Sequence, residues 1–435
     1  MKKRKNCREE SYHPTVENSE LKGRKPLMAI CVKSEIGSLR KILLHRPGRE
    51  LEHLVPDELE RLLFDDIPYM RLAQQEHDTF ASILREQGVE VVYLEDLMAE
   101  TLEANPGLRE AFLQDFLQEG GPYAKKHAKE LFAMLMEIQN EREFVLKTMS
   151  GVTTGEMQKE LRVGPLSRLT GEHRKFVLDP IPNLYFTRDP FASIGCGISV
   201  HRMHSVTRCR ETIYGDYIMR FHPEYAGKVP FYYNRSDPFP IEGGDILNLR
   251  EDTIAIGLSQ RTSPEGIELL AEHLFSNERC AVKRILILDI PNMRTFMHLD
   301  TVFTQVDIDK FTIHPGILNN LRLYELSHAG KELQARELNT PLEDVLKEAL
   351  ELDHVTLIHC GGKDNIASAR EQWNDGANTL SIAPGRIIVY NRNYVTNEIF
   401  RDNGLEVFEM PSSELARGRG GPRCMSMPLL REPVL

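Results

Sequence analysis

The chain has 435 residues, 41% hydrophobic and 27% charged, ordinary proportions for a soluble globular protein of roughly two or three domains. Its 54 Lys and Arg against 65 Asp and Glu leave a formal charge of −11. That balance argues against nucleic acid as the main ligand, because phosphate backbones are gripped by basic faces. The seven cysteines are scattered and form no CxxC pair, so neither a disulfide framework nor a zinc site is indicated, and a reducing cytoplasm fits best.

Residues 1–27 read as a mobile basic arm. Met1-Lys-Lys-Arg-Lys starts like a signal peptide, but no apolar segment follows it, and no apolar run reaches the ~20 residues of a membrane span. From Met28 the pattern is strand-like at Ala29–Val32 and Lys41–Leu44. A helix is predicted over Met70–Glu86, with Leu72, Phe80, Ile83 and Leu84 on one buried stripe. Gly88 ends it, and Val89–Tyr93 reads as the next strand.

Between about Leu97 and Phe176 the texture is nearly all helical. Pro106-Gly107 opens a helix carrying Leu108, Phe112 and Phe116, a second runs from Ala124 past Ile138, and a third contains Phe144, Val145 and Met149. Thr153-Thr-Gly-Glu and Thr170-Gly-Glu offer cap residues. The pattern predicts a helical bundle, residues 97–176, inserted into an α/β unit made of residues 28–96 and 177–435. After Pro180 strands return at residues 194–200, 245–249, 253–258, 284–288, 355–358 and 386–390, with helices near 265–275 and 342–352. Phe186-Thr-Arg-Asp189-Pro-Phe191 and Met297-His-Leu-Asp300-Thr-Val-Phe303 share a cast that hints at an internal repeat. No P-loop or GxGxxG segment appears, so no nucleotide cofactor is indicated.

The chemistry concentrates in four places. Ser413 to Cys424 hangs a cysteine on a glycine-rich, arginine-bearing loop, where a permissive backbone lets another group come close. Upstream lie Asp189, the Ile241-Glu242-Gly-Gly-Asp245 turn, and His298 with Asp300. A thiolate nucleophile, a histidine able to pass a proton near neutrality and carboxylates to grip a planar cation would together suit attack on a guanidinium. Cys360 competes with Cys424 as nucleophile, but it closes the apolar run Val355–His359 and reads better as strand-end packing. In a strand, His298 and Asp300 would face the same pocket. Two carboxylates beside a thiol should also raise its pKa, so the thiolate is expected once a cationic substrate neutralises them, or as a pair with protonated His298.

At these residues the chain closely resembles the arginine deiminase family of guanidine-modifying enzymes. The resemblance is carried by Leu63-Phe-Asp-Asp66, Asn183-Leu-Tyr-Phe186-Thr-Arg-Asp189-Pro, Ile241-Glu242-Gly-Gly-Asp-Ile246, His298-Leu-Asp300 and Gly418-Arg419-Gly-Gly-Pro-Arg-Cys424-Met-Ser. It implies a five-bladed, pseudo-symmetric α/β propeller of ββαβ units with an inserted α-helical bundle. It implies Cys424 as nucleophile, His298 as general acid and base, Asp189 and Asp300 as guanidinium clamps, and Glu242 beside both. Asn183, Arg208 and Arg261 match positions that hold a substrate carboxylate. Phe186 lines the alkyl stem, Arg419 gates or touches substrate, and carbonyls near Leu63 and Gly418 meet the amino end. The expected reaction is hydrolysis of free L-arginine to L-citrulline and ammonia through a Cys-alkylthiouronium adduct, with water as the second substrate and no metal or organic cofactor. An amidinotransferase or methylated-arginine hydrolase would use the same set, and an arginine sensor could retain the pocket. A homo-oligomer is compatible with the sequence.

Overall fold

The computed structural model describes residues 29–157, 164, 166, 169, 174–330 and 332–434, with the side chains of residues 294 and 329 left aside. The basic arm expected at 1–27 and the cap expected at Thr170 lie outside the described residues.

One pattern recurs five times: an antiparallel strand pair extended by a third, parallel strand that arrives after a helix. The first unit joins the two ends of the chain. Met427–Arg431 pairs antiparallel with Leu39–Leu44, which pairs parallel with Glu90–Tyr93. The second is Phe191–Ile194, Gly197–Val200 and Phe231–Tyr233. The third is Ile246–Arg250, Thr253–Leu258 and Arg284–Asp289, widened by the hairpin Arg322–Ala329 and Glu332–Leu338. The fourth is Phe303–Gln305, Lys310–Ile313 and Thr356–His359. The fifth is Leu380–Ala383, Arg386–Tyr390 and Glu406–Met410. Parallel partners need a crossover, and the helices Met70–Glu86, Glu211–Phe221, Pro264–Ser276, Leu342–Leu350 and Tyr394–Asp402 supply it. The sheets are separate, and none closes on itself.

Sequence period dictates these helices. Met70–Glu86 buries Ala73, Glu76, His77, Phe80, Ala81 and Leu84, a stripe at three- and four-residue spacing that covers the first unit. Glu76 looks misplaced in an apolar stripe until its partners are counted. Its carboxylate accepts from Ser413 Oγ at 2.7 Å, Glu414 N at 3.0 Å and Leu415 N at 2.9 Å, and so ties down the start of the cysteine loop. A buried carboxylate is tolerable only with its acceptors filled in this way.

The helix-rich stretch contains Leu94–Ala104, Leu108–Gln118, Gly121–Lys126, Ala128–Met136 and Glu141–Ser150. The helix predicted from Ala124 onward is two helices, interrupted at His127. Phe112 and Phe116 pack with Phe144, Tyr214 and Tyr217 at centroid distances of 5.3–6.0 Å, so this stretch shares its core with the second unit.

Three further readings are corrected. Residues 194–200 are not one strand but a hairpin turning at Gly195, whose φ of +54° suits glycine. Ala29–Val32 makes only isolated bridges through Cys31 and Val32. His298–Asp300 is not a strand: His298 is extended, and Leu299–Thr301 is a turn of 3-10 helix.

Candidate active site

Each unit presents chemistry from the segment two to four residues ahead of its first strand: Asp189, Glu242, Asp300, Asn378 and Cys424 precede Phe191, Ile246, Phe303, Leu380 and Met427 in turn. His298 joins from the fourth unit's segment, two residues before Asp300. Residues far apart in sequence thereby meet, and the glycines of the turns allow the approach. A Cβ on Gly244 would lie 2.7 Å from Cγ and Nδ1 of His298, while one on Gly418 would collide with Tyr185 Oη and one on Gly420 with the Phe186 ring.

Cys424 is 3% exposed. Its Sγ lies 3.5 Å from Asp300 Oδ2 and accepts an N–H from Asn378 Nδ2 at 3.1 Å, while its own N–H donates to Asn378 Oδ1 at 3.1 Å. His298 Nε2 is 2.8 Å from Glu242 Oε2, and its Nδ1 is 3.7 Å from Asp189 Oδ1. The expectation that His298 and Asp300 are neighbours on one strand fails. The turn after His298 separates them, so the imidazole pairs with Glu242 and Asp189, and Asp300 with Cys424 and Arg423.

Each clamp carboxylate has one oxygen already engaged. Neither carboxylate offers both oxygens: Asp189 Oδ2 takes Arg208 Nη1 at 2.8 Å and Asp300 Oδ2 takes Arg423 Nη1 at 2.8 Å. The remaining oxygens, Asp189 Oδ1 and Asp300 Oδ1, are buried and accept no hydrogen bond. A desolvated acceptor left without a hydrogen bond is costly, and a cation donating to it would relieve that cost.

Electrostatics follow from this crowding. Burial pushes the Cys424 thiol well up, and Asp300, Asp189 and Asp375 push further, with Arg423 only partly opposing them. Burial alone would lower the His298 pKa, but Asp189, Glu242 and Asp245 outweigh it and carry it up to about 9. The imidazole is therefore a cation at neutral pH. Burial works to raise Glu242, yet Arg261, His298 and Arg208 together hold its carboxyl below the usual range. Asp189, Glu242 and His298 offer ligand atoms within 4.8 Å of one another, close enough for a metal ion. A protonated imidazole has no lone pair to give, so this charge pattern favours holding a proton there.

The remaining expected residues line one cavity with Asp189, His298 and Cys424: Leu63, Asn183, Phe186, Arg208, Arg261, Gly418 and Arg419. Arg208 is already occupied, donating from Nε and Nη2 to Glu211 and from Nη1 to Asp189. Arg261 Nη1 and Arg419 Nε and Nη1 are buried donors without a hydrogen-bond partner. Arg419 stacks on Trp373, its guanidinium carbon 3.5 Å from the ring centroid. Asn183 Nδ2 holds Leu62 O at 2.7 Å, next to the left-handed Leu63 (φ +62°). Cys360 is fully buried against Thr396, its thiol pushed by burial up to about 12, so it is packed and inert.

Two functional residues were missed by sequence reasoning. Asn378 orients the thiol, and its signal was the repeat itself, since it fills in the fifth unit the position that Asp189 fills in the second. Arg423 is 1% exposed and holds Glu35 at 3.0 Å as well as Asp300.

Comparison with known proteins gives the family. The family model described as arginine deiminase matches residues 60–431. An arginine deiminase of Treponema denticola is 54% identical over 410 residues, covering 94% of this chain and all of the relative. One from Streptococcus equi subsp. zooepidemicus is 51% identical over 407 residues, covering 93% and 98%. Among solved structures, SxtG, an amidinotransferase from Microseira wollei, superposes with a TM-score of 0.54 at 15% identity, covering 94% of this chain and 98% of that one. The product-bound N-terminal domain of ArgZ, a cyanobacterial arginine dihydrolase, gives a TM-score of 0.51 at 13% identity, covering 91% and 98%. These two share the α/β fold. On the family match and the identity of its relatives, this chain belongs to the arginine deiminase family.

Proposed function

We propose that the chain hydrolyses free L-arginine to L-citrulline and ammonia through a covalent intermediate on Cys424. The observation that carries the mechanism is Cys424 Sγ lying 3.5 Å from Asp300 Oδ2, with Asp189 near enough to act on the thiol and one buried oxygen of each carboxylate, Asp189 Oδ1 and Asp300 Oδ1, accepting no hydrogen bond. A guanidinium donating to both would lie against Sγ, and its charge would neutralise the carboxylates that oppose the thiolate. As the cation binds, Cys424 gives up its proton to solvent, and the sulfur then bonds to the guanidinium carbon. His298, held protonated by Glu242 and Asp189, delivers its proton to the departing nitrogen, which leaves as ammonia. The neutral imidazole next takes a proton from water as the oxygen bonds to the same carbon. The carbon–sulfur bond breaks as the new hydroxyl gives its proton to solvent, returning the thiolate and releasing citrulline.

Asn183, Arg261 and Arg419 suit a substrate carboxylate better than Arg208, whose donors are largely engaged: Arg261 Nη1 and Arg419 Nη1 make no hydrogen bond and only long ion pairs, to Glu242 at 3.9 Å and Asp65 at 3.7 Å. Phe186 would pack on the alkyl stem, and carbonyls at Leu63 and Gly418 would take the ammonium group. The cavity is about 30 Å³, room for a water molecule or two, so its lining would open to admit an amino acid. We read the five ββαβ units as blades of a pseudo-symmetric propeller, with residues 97–176 inserted as a helical bundle and the whole working in the cytoplasm.

Rapid quench of the enzyme with arginine, followed by peptide mass spectrometry, tests the mechanism. A Cys424 peptide heavier by arginine less ammonia is expected. Turnover that persists in Cys424→Ala, with no adduct at any quench time in the parent protein, would remove the proposal.

A further inference from the structure

Away from this site, two cysteines approach each other. Cys31 and Cys196 are 165 residues apart in the chain, yet their sulfurs lie 3.6 Å from one another, and both residues are partly exposed. The backbone sets the approach. Val32 N donates to Gly195 O at 2.7 Å, and the two residues form an antiparallel bridge. With Val32 opposite Gly195, the register places Cys31 opposite Cys196, and facing residues in an antiparallel pair hold their Cβ atoms about 4.5–5.5 Å apart. A small approach of the two segments reaches the Cβ separation of a disulfide, about 3.5–4.5 Å.

We propose that Cys31 and Cys196 form a second thiol site, which hydrogen peroxide converts to a disulfide while Cys424 stays reduced. The two sulfurs are not equivalent. As a thiolate, Cys196 accepts the S–H of Cys31 and is further favoured by Lys33, so it ionises below the ordinary thiol range, whereas Cys31 is pushed up by its partner and by burial. The Cys196 thiolate attacks one peroxide oxygen, the O–O bond breaks, and hydroxide leaves, giving a sulfenic acid. The Cys31 sulfur then bonds to Cys196 sulfur. The sulfenic oxygen departs as water, carrying the Cys31 proton, so that peroxide and two thiols become a disulfide and two waters.

Among the described residues, the other thiols are poor competitors. Cys209 and Cys280 are pushed up by burial, Cys360 is fully buried, and Cys424 is buried among carboxylates. The bond would pin the segment that leads to Glu35, and Glu35 holds Arg423 beside the Cys424 loop. Its expected consequence is a more stable fold with the nucleophile spared.

The test treats the purified full-length protein with hydrogen peroxide, blocks remaining thiols with iodoacetamide and maps peptides without reduction. A cross-linked Cys31–Cys196 peptide, a loss of two alkylatable thiols per chain and a rise in melting temperature, all reversed by dithiothreitol, are expected. Cys31→Ser should leave Cys196 as a lone sulfenic acid, and Cys196→Ser should leave Cys31 alkylatable. The proposal is overturned if Cys424 oxidises first, if both thiols remain alkylatable, or if Cys196 in the parent protein runs to sulfinic acid uncoupled.

Discussion

His298 keeps its proton because three carboxylates, Asp189, Glu242 and Asp245, outweigh burial, and that balance can be tipped one charge at a time. The folded imidazole titrates at about 9, above its ordinary 6.5, so the general acid is present at neutral pH and is lost as pH rises through about 9. Glu242→Gln removes a charge and weakens the acceptor at 2.8 Å, both of which lower the imidazole pKa. The alkaline limb of kcat/KM, which reports the free enzyme, should therefore move to lower pH by about one unit or more. An alkaline limb identical to the parent's would rule out Glu242 as the group that sustains the proton. Asn378 acts on the sulfur instead. Asn378→Ala takes away the one N–H donated to Sγ and frees the Cys424 backbone, so the thiolate loses stabilisation of about 1.5–3 kcal/mol. A fall in kcat/KM of about 10- to 100-fold is expected, with slower alkylation of Cys424 by iodoacetamide. Unchanged alkylation would reduce Asn378 to a loop prop.

The turn before each unit's first strand is the element that makes the site, and its small residues are as necessary as its charged ones. Gly244→Ala introduces a Cβ 2.7 Å from the His298 ring, with no flexible side chain to yield, so the imidazole must be displaced. Displacement on the order of 1 Å at a reacting group costs about 100-fold, so kcat should fall by roughly that factor while circular dichroism stays native-like. Full activity would mean that the ring tolerates a shift the geometry forbids. At this scale the sequence was readable wherever pattern is local. Thr253–Leu258, Arg386–Tyr390 and Met70–Glu86 fall where apolar runs and a helical stripe predict them. Reading failed where tertiary contacts decide. The corner at Gly195 sits inside a continuous strand-like run, and the turn after His298 has no local signal because its stop comes from Asp245 accepting Leu299 N at 2.8 Å. The added hairpin Arg322–Leu338 escaped because its outer strand is charged and exposed and lacks an alternating face. Motif residues were legible through the family resemblance. Asn378 was not, since an asparagine before a strand looks like any turn residue until the five units are aligned.

Across the whole molecule, the two ends of the chain are bound together at the active site. Met427–Arg431 completes the sheet begun by Leu39–Leu44, and Arg423 spans Glu35 near the start, Ile246 O in the third unit and Asp300 in the fourth. All three side chains are buried. Replacing one member of a buried charged network exposes the cost of the others. Burial alone would raise the Glu35 carboxyl, but Arg423, Arg188 and Arg431 override it and hold it at about 2. A carboxyl depressed on folding contributes stability that is complete above its unfolded value near 4.5 and fades as pH falls through about 2. Glu35→Gln should therefore unfold at lower urea than the parent at pH 7, by an amount equivalent to about 3 kcal/mol at most. The gap should narrow steadily below about pH 4.5, because the parent then loses by protonation what the variant lacks already. Urea titrations at pH 7, 4 and 3 read this directly. A gap that stays constant down to pH 3 would mean that Glu35 stabilises by shape alone, and that the chain ends are not held by charge.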